Sequence, residues 1–419
     1  MNDYVKFKWG EGRVTYLWPD HPLVLAGDYH LGMVVDSFHN NQENDVIIKQ
    51  LLNITDHPEE EVRSYVENVV RAIQGISDDN LINTTKPNAD SLSMATINVT
   101  DNCNLDCRHC YAGSRNIERY EEMNIEEIEN AVLQLSGIVK QQPRLLIFSG
   151  GEPLLRKEKL KAGIRKANSV GFNVRLNTNG ILIEEELANF LCENNVLTQV
   201  SLDGADPKTN AILRGEEGAF EETIEGIKIL VNSGCSVRIS MTLHSGNKHQ
   251  IPDLLNLALE IGAEQFITSS LVGIGRALEN DIRPVEFADE FTMLFNEIRD
   301  NKRKQEMTSS TLLGETIAAI RNGIRFVYCG SGCSTLCLGA DGSLYPCINL
   351  VGGRYLVGRL NSNNLRDIWI NNKELIELRK LDVSSMNLQC GKCKFRHFCG
   401  GYCRGETIAG GGEDLLSLH

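Results

Sequence analysis

The chain has 419 residues, with 42 Lys and Arg against 56 Asp and Glu, a net charge of −14 and 13 cysteines. Hydrophobic residues at 42% and charged residues at 23% are the composition of a soluble globular protein, and the length suggests two or three domains of roughly 100–200 residues. The negative charge suits no nucleic-acid backbone. No apolar run reaches the roughly 18 residues of a membrane helix, and Met1–Lys8 has no apolar stretch like a secretion signal. The expectation is a cytoplasmic protein with neither nucleic acid nor membrane as partner.

From Met1 to about Asn88 the pattern is mixed. Val5–Lys8 and Arg13–Trp18 read as strands, and Asp45–Ile54 as a helix. Val62, Tyr65, Val66, Val69, Val70 and Ile73 keep the spacing of a helix face. Together they predict a small α+β module. Ser77 to Asp90 is polar, without apolar period, and reads as a linker. From about Ser91 to Asp300 the pattern alternates. Strand-like runs occur at Met94–Val99, Leu145–Phe148, Asn173–Leu176, Gln199–Leu202, Val237–Leu243 and Phe266–Leu271. Between them, a helix starts at a cap on Asn124 with Ile125, Ile128, Val132, Leu135 and Val139 on one face. Others span Glu184–Glu193, Phe220–Val231 and Ile251–Leu259. Six β–α units in series predict an α/β fold with a parallel sheet, whose ligand site lies at the carboxyl ends of the strands.

Cysteine use is unusual for a reducing compartment, where clustered cysteines bind metal or do chemistry. Three lie within Cys103–Cys110 and eight within Cys329–Cys403; Cys192 and Cys235 stand alone and read as small buried hydrophobes. The first strand ends in Cys103-x3-Cys107-x2-Cys110. A structural zinc wants four ligands, so a zinc loop would need His109 as its fourth, beside Cys110. In a four-iron cubane, three thiolates leave one iron open to a substrate. The second strand ends in Gly150-Gly151-Glu152-Pro153. The glycines permit close approach to the backbone, and Glu152 suits a ligand ammonium.

The three-cysteine loop followed one strand later by Gly-Gly-Glu-Pro resembles the radical S-adenosylmethionine (SAM) superfamily, over about Ser91 to Asp300. His109 stands where that family usually has an aromatic residue. The resemblance implies a partial (β/α)6 TIM-like barrel over residues 89–310. It implies a 4Fe–4S cluster on Cys103, Cys107 and Cys110, with SAM chelating the open iron. Reductive cleavage of SAM then gives a 5′-deoxyadenosyl radical that removes hydrogen from a substrate. By the same resemblance, Gly150, Gly151, Glu152 and Pro153 are SAM contacts. Asn177 and Asn179 suit the ribose. Ser201 and Asp203 would bond ribose hydroxyls or orient neighbours, and Arg214 would pair with SAM's carboxylate. Gly273-Ile-Gly275-Arg276 would border the adenine. No residue is singled out as catalytic in its own right.

The C-terminal region reads Cys329-x3-Cys333-x3-Cys337, Gly342-x4-Cys347, a gap of 42 residues, then Cys390-x2-Cys393-x5-Cys399-x3-Cys403. Leu338–Pro346 suggests a hairpin turning at Asp341-Gly342. Paired zinc ribbons are one reading. The full pattern resembles the SPASM domain, here over residues 311–419, which carries two auxiliary 4Fe–4S clusters. The resemblance gives Cys329, Cys347, Cys403 and either Cys333 or Cys337 to one. It gives Cys390, Cys393 and Cys399 to the other, for which no cysteine follows Cys403.

This combination implies an iron–sulfur oxidoreductase acting on a peptide, with an external one-electron donor such as ferredoxin or flavodoxin. Residues 1–88 resemble the winged-helix peptide-recognition element of peptide-maturation systems, which binds a precursor's leader as an added strand. The expected reaction is a cysteine thioether crosslink in a ribosomally made precursor. Carbon–carbon or carbon–oxygen crosslinking, epimerisation and formylglycine generation in sulfatases are alternatives within the class, as is cofactor or haem biosynthesis. An iron–sulfur electron carrier or a zinc-stabilised binding protein would leave the Gly-Gly-Glu-Pro turn without a job.

Overall fold

The computed structural model describes residues 4–8, 12, 14–18, 23–74, 88–114, 121–285, 293–294, 297–298, 301–310, 329–352, 355–360, 364–381, 392 and 403–409. The chain divides into two units, one holding Met1–Lys86, the other Pro87–Gly314 with Cys329–Leu381 and Cys403–His419.

In the first unit, β1 (Val5–Lys8), β2 (Val14–Trp18) and β3 (Leu23–Gly27) form an antiparallel sheet in that order. Helices α1 (Tyr29–His39), α2 (Asn44–Leu52) and α3 (Glu59–Gln74) follow. Alternation along β2 sends Val14, Tyr16 and Trp18 into a core shared with Val34, Ile47, Ile48 and Val66. Asp36 on α1 accepts from Tyr16 at 2.7 Å, from Tyr4 at 3.2 Å and from Lys6, tying helix to sheet. β3 and α1 are additional to the sequence reading. Leu-Val-Leu-Ala does not alternate. In α1 the small Gly32 faces Val14 and Tyr16, so the apolar stripe is interrupted where the helix packs closest.

The second unit is built on a parallel sheet. β4 (Met94–Thr100), β5 (Leu145–Gly150), β6 (Asn173–Thr178), β7 (Leu197–Ser201), β8 (Val237–Leu243) and β9 (Gln265–Ser270) pair as successive neighbours. Between them run α4 (Ile125–Ser136), α5 (Lys157–Ser169), α6 (Glu185–Glu193), α7 (Pro207–Arg214) with α8 (Ala219–Asn232), and α9 (Ile251–Ile261). This is the expected α/β partial barrel. Asn124 caps α4 as read, in a reciprocal box with Glu127 at 3.0 and 2.8 Å. The odd-numbered residues of β4, Ala95, Ile97 and Val99, join a core with Ile128, Val132 and Leu135 of α4. Thr96, Asn98 and Thr100 therefore face the barrel interior. By the same alternation Leu146 and Phe148 of β5, and Val174 and Leu176 of β6, pack outward, leaving Ser149, Arg175 and Asn177 facing inward.

The sheet continues past the barrel at both edges. β10 (Thr308–Ser310) pairs in parallel with β9. Next to β4 lies β11 (Thr335–Leu338), also parallel, followed by antiparallel β12 (Ser343–Tyr345) and β13 (Gly358–Arg359). The expected hairpin is present, turning at Gly342 with φ +76°. Its first strand thus sits beside the strand that delivers the first cysteine loop. Among the described residues no helix is long and apolar enough to cross a membrane.

Candidate cofactor site and cysteine clusters

Cys103, Cys107 and Cys110 lie on one loop after β4, with Cys107 buried and the other two partly so. Leu105 and Ala219 pack around them in a small apolar cluster. Burial pushes the Cys103 thiol up to about 12 and the Cys107 thiol also upward, the latter opposed by Arg214. Thiolates there need a positive partner. Among the described residues no three Cys, His, Asp or Glu side chains converge tightly enough to hold a single metal ion. Four thiolates on one zinc would stand about 4 Å apart, from bonds of about 2.3 Å. A cubane, with irons at separate corners, takes its thiolates at wider spacing, and three thiols on one loop are the donor set it needs to keep an iron open.

Four neighbouring segments hold this loop from outside. From the β5 end, Gly151 N–H donates to the Thr100 carbonyl at 2.7 Å and Glu152 N–H to the Asn102 carbonyl at 2.8 Å. A Cβ on Gly150 would sit 2.2 Å from the Thr100 carbonyl oxygen, and one on Gly151 2.1 Å from that of Asn102. Both glycines are thus required by the approach of protein backbone, whatever else binds there; Gly150 also has φ +132°. Pro153 opens a short 3-10 turn capped by Glu152. Glu152 is buried, accepting from Asn179 N at 2.8 Å, Thr178 Oγ1 at 2.8 Å and Leu154 N at 3.1 Å. Burial raises its carboxyl to about 6 despite those bonds.

From the β6 end, the Asn179 side chain donates to Asn104 Oδ1 at 2.8 Å and accepts from Ile181 N at 3.1 Å. Its amide is engaged on the cysteine loop. Asn177, two residues earlier, keeps a buried Oδ1 without a protein partner. Beyond β7, Asp203 is fully buried. It accepts from Thr242 N at 2.7 Å and pairs with Arg214 Nε at 2.7 Å. Asp203 therefore orients neighbours, one of the two roles expected of it. Burial opposes the Arg214 charge, yet Asp203 and Cys107 hold its pKa above the ordinary value, and its Nη1 reaches the Cys107 sulfur at 3.9 Å. Ser201 lies on the inner face at the end of β7, half-buried. His109 is in reach of the Leu213 carbonyl at 3.4 Å, and burial lowers its pKa to about 4.

From beyond β9 comes a clamp that spacing alone did not reveal. Arg276 is buried. It donates to the Cys107 carbonyl at 2.7 Å and the Ser114 carbonyl at 3.0 Å, and pairs with Asp106 at 2.7 Å. A Cβ on Gly275 would lie 2.5 Å from the Tyr111 carbonyl oxygen. The Gly-Ile-Gly-Arg segment thus braces the cysteine loop.

In the second cluster, Cys329, Cys333, Cys337, Cys347 and Cys403 fall among the described residues, while Cys390, Cys393 and Cys399 lie outside them. Burial raises the thiols of Cys333 and Cys347 to about 12. Neighbouring thiols add to this: Cys329 acts on both Cys333 and Cys347, Cys403 acts on Cys329 and Cys347, and Cys347 acts on Cys337. The turn bearing Cys333 is fixed by Gly332 N–H to the Pro346 carbonyl at 2.9 Å, one residue before Cys347. Asn349 Nδ2 lies 3.4 Å from the Cys403 sulfur. Cys337 is in the middle of β11, opposite Tyr345 and beside Thr96, on the inner face because Leu336 and Leu338 enter the core.

Comparison with known proteins agrees with this architecture. Residues 97–258 match the radical SAM superfamily, and residues 329–394 match the SPASM iron–sulfur cluster-binding domain. An AdoMet-dependent heme synthase of Methanosarcina barkeri is 29% identical over 332 residues, 76% of this chain and 92% of that protein. The mycofactocin maturase MftC of Mycobacterium tuberculosis is 27% identical over 322 residues, 74% of this chain and 77% of that protein. Among solved structures, Streptococcus suis SuiB bound to S-adenosylmethionine superposes with a TM-score of 0.61 at 16% identity, covering 97% of this chain and 96% of that one. SuiB is also known bound to its precursor peptide SuiA. With the cysteine loop, its braces and these matches together, the chain belongs to the radical SAM enzymes with a C-terminal SPASM domain, and its cofactors are S-adenosylmethionine and 4Fe–4S clusters.

Proposed function

We propose that this enzyme is a peptide maturase that recognises a ribosomally made precursor through residues 1–88 and installs a cysteine thioether crosslink in it. The carrying observation is the N-terminal module. It has its own sheet and core, and among the described residues β1 and β3 of its three-stranded sheet each pair only with β2, so each offers an edge for an added leader strand. The SuiB fold match spans 97% of the chain and so takes this module in. When bound, the cofactors supply the radical that abstracts hydrogen; an external one-electron donor such as ferredoxin or flavodoxin supplies the electron. In this reading Cys103, Cys107 and Cys110 hold the catalytic cluster. Arg214 faces SAM's carboxylate, Glu152 and the Gly150-Gly151 turn face its amino group, and Asn177 and Ser201 the ribose. Cys329, Cys333, Cys347 and Cys403 hold the first auxiliary cluster, and Cys390, Cys393 and Cys399 ligate the second.

A second reading, tetrapyrrole chemistry, is favoured by the 29% identity to a heme synthase. The test is deletion of residues 1–88 from the reconstituted enzyme, assayed on candidate precursor peptides drawn from the open reading frames neighbouring its gene. The expected result is loss of peptide modification with SAM cleavage retained. A truncated enzyme that modifies the peptide at the full-length rate would remove the recognition role. Conversion of a porphyrin, and of no peptide, would install the second reading.

A further inference from the structure

The six barrel strands contain two arginines, Arg175 on β6 and Arg238 on β8, and no Asp or Glu. Val174, Val200, Ile239 and Phe266 pack outward in the core, so by alternation Arg175, Gln199, Arg238 and Gln265 face the barrel interior. A closed barrel fills that space with side chains. Here the wall differs from one side to the other. Thr96, Asn98 and Thr100 of β4 are buried, but Arg175, Leu197, Gln199, Arg238, Gln265 and Ile267 are only half-buried. Solvent therefore reaches the inner wall from β6 to β9, which leaves room beside both arginines.

Neither arginine has an acid on this wall to match it. Arg175 Nε is buried without a hydrogen-bond partner, and the charge acting on this residue is that of Arg238. Burial, and then that repulsion, bring Arg175 down to about 10, which leaves it charged at neutral pH. Arg238 donates from Nε to Gln265 Oε1 at 2.9 Å, a neutral partner. The acid that acts on it, Glu264, is exposed just before β9 and accepts from Ser236. Charges drawn into a protein are as a rule paired. In register, Arg238 lies opposite Gln199 and Gln199 opposite Asn177, so the two arginines stand two strands apart with Gln199 on the strand between. Two cations facing one space, with no acid on its wall, favour an anion there.

The place of the pair selects the anion. Asn179, bonded to Asn104 of the cysteine loop, is four residues after Arg175, about 13 Å along an extended strand. In the proposed function SAM's carboxylate faces Arg214 at the loop itself, so an anion at Arg175 belongs to substrate. A planar guanidinium takes a carboxylate through two parallel bonds, and a carboxylate is the anion that peptides and tetrapyrroles both carry. We infer that Arg175 and Arg238 form a carboxylate-binding subsite in the barrel lumen, which anchors an acidic group of the substrate below the cofactor. In a peptide that group is an Asp or Glu side chain or the C-terminus; in a tetrapyrrole it is a propionate. The subsite goes beyond the choice between the two readings and serves under either.

The probes are two pairs, each an acid with its neutral counterpart: N-acetylglutamate N-methylamide with N-acetylglutamine N-methylamide, and an iron porphyrin bearing propionates with its primary amide. Binding is read on the full-length, oxidised holoenzyme with SAM bound, by ligand-observed NMR for the first pair and by absorbance titration for the second. The acid is expected to bind at least fivefold tighter than its neutral counterpart in at least one pair, and the pair with the larger preference names the source. Arg175→Gln and Arg238→Gln should each bring that preference below twofold while SAM affinity shifts less than twofold. Arg175→Lys keeps the charge without the fork. It should hold an intermediate preference, and it carries the test if the Gln variants fail to keep their iron. Acid and neutral members binding alike in both pairs would overturn the proposal, as would a preference that survives both Gln variants. Inorganic phosphate displacing the acid at a lower concentration than acetate does would overturn it in favour of a phosphate site. Loss of SAM affinity in the Gln variants would return the arginines to the cofactor and overturn it too. No probe carries a leader, so these outcomes are separate from the deletion of residues 1–88.

Discussion

Arg276 Nε donates to the carbonyl of Cys107 at 2.7 Å, so a residue following the last of the six barrel strands fixes backbone between the first-strand cysteines. The same guanidinium reaches Ser114 and Asp106, and Gly275 leaves room for the loop to press against it. Arg276→Lys keeps the charge and loses the planar fork. Charge-assisted bonds contribute roughly 1.5–3 kcal/mol each. The variant is expected to lose iron from the barrel site at least tenfold faster under mild oxidation, with auxiliary iron unchanged, read by the electron paramagnetic resonance signals of the separate clusters. Equal loss rates in both proteins would show that Arg276 does not brace the loop.

Gly151 is the tightest backbone contact in the site. A methyl group there would stand 2.1 Å from the Asn102 carbonyl oxygen. Since that atom is backbone on the cysteine loop, relief requires moving the loop itself, at a cost above the about 1–3 kcal/mol of ordinary overpacking. Gly151→Ala should therefore reduce SAM cleavage more than tenfold and lower barrel-cluster occupancy together. Loss of SAM affinity with normal cluster content would instead place the effect on the ligand alone.

Much of this was legible in the chain, because periodicity and punctuation are local. The six barrel strands fall within one or two residues of the apolar runs, and the Asn124 cap and Gly342 hairpin are where their residues suggest. α5 was missed for a packing reason. Its sequence Lys-Glu-Lys-Leu-Lys-Ala-Gly-Ile-Arg carries few large apolar residues, because the helix packs close through a small one. A Cβ on Gly163 would meet Phe148 at 2.7 Å. The cysteine loops were readable from spacing, but their braces were not. Arg276 is 169 positions from Cys107, and Asn179 is 75 from Asn104. Such pairs exist only once the strands are assembled. The one local hint was the Gly-x-Gly-Arg turn after the sixth strand.

Asp36 supplies a test of the N-terminal module. Burial pushes its carboxyl upward, but hydrogen bonds from Lys6 and Tyr16 outweigh this and hold it below the usual value. A depressed carboxylate adds stability above its unfolded pKa of about 3.9 and loses it as pH falls through the lower folded value. Because Asp36 is 40% exposed, solvent screens the pair with Lys6. Asp36→Asn should cost about 1 kcal/mol at pH 7, and the difference from wild type should shrink as pH falls below about 4. Hydrogen exchange over residues 29–39 in the full-length protein reads this locally. A gap that stays constant down to pH 3 would show that the carboxylate charge is not the stabilising element.

Cys333 and Cys337 are both buried and four residues apart, yet they sit in different surroundings. Cys333 shares a neighbourhood with Cys329 and is held by a turn bonded to the residue before Cys347. Cys337 has Cys347 as its thiol neighbour, but it is locked in a strand between Thr96 and Tyr345, with its side chain on the barrel's inner face. Moving Cys337 off that face would shift β11 by one residue and send Leu336 and Leu338 out of the core. A strand that cannot slip is a poor donor to a cluster needing convergence with Cys403. Cys333→Ala should then lower iron by about four atoms per chain, the content of one cubane, while Cys337→Ala keeps the iron and alters the environment of the inner face. Mössbauer quantification of the anaerobically reconstituted proteins separates the two. Full iron in Cys333→Ala with loss in Cys337→Ala would reverse the assignment, and would require the hairpin to rearrange when the cluster is inserted.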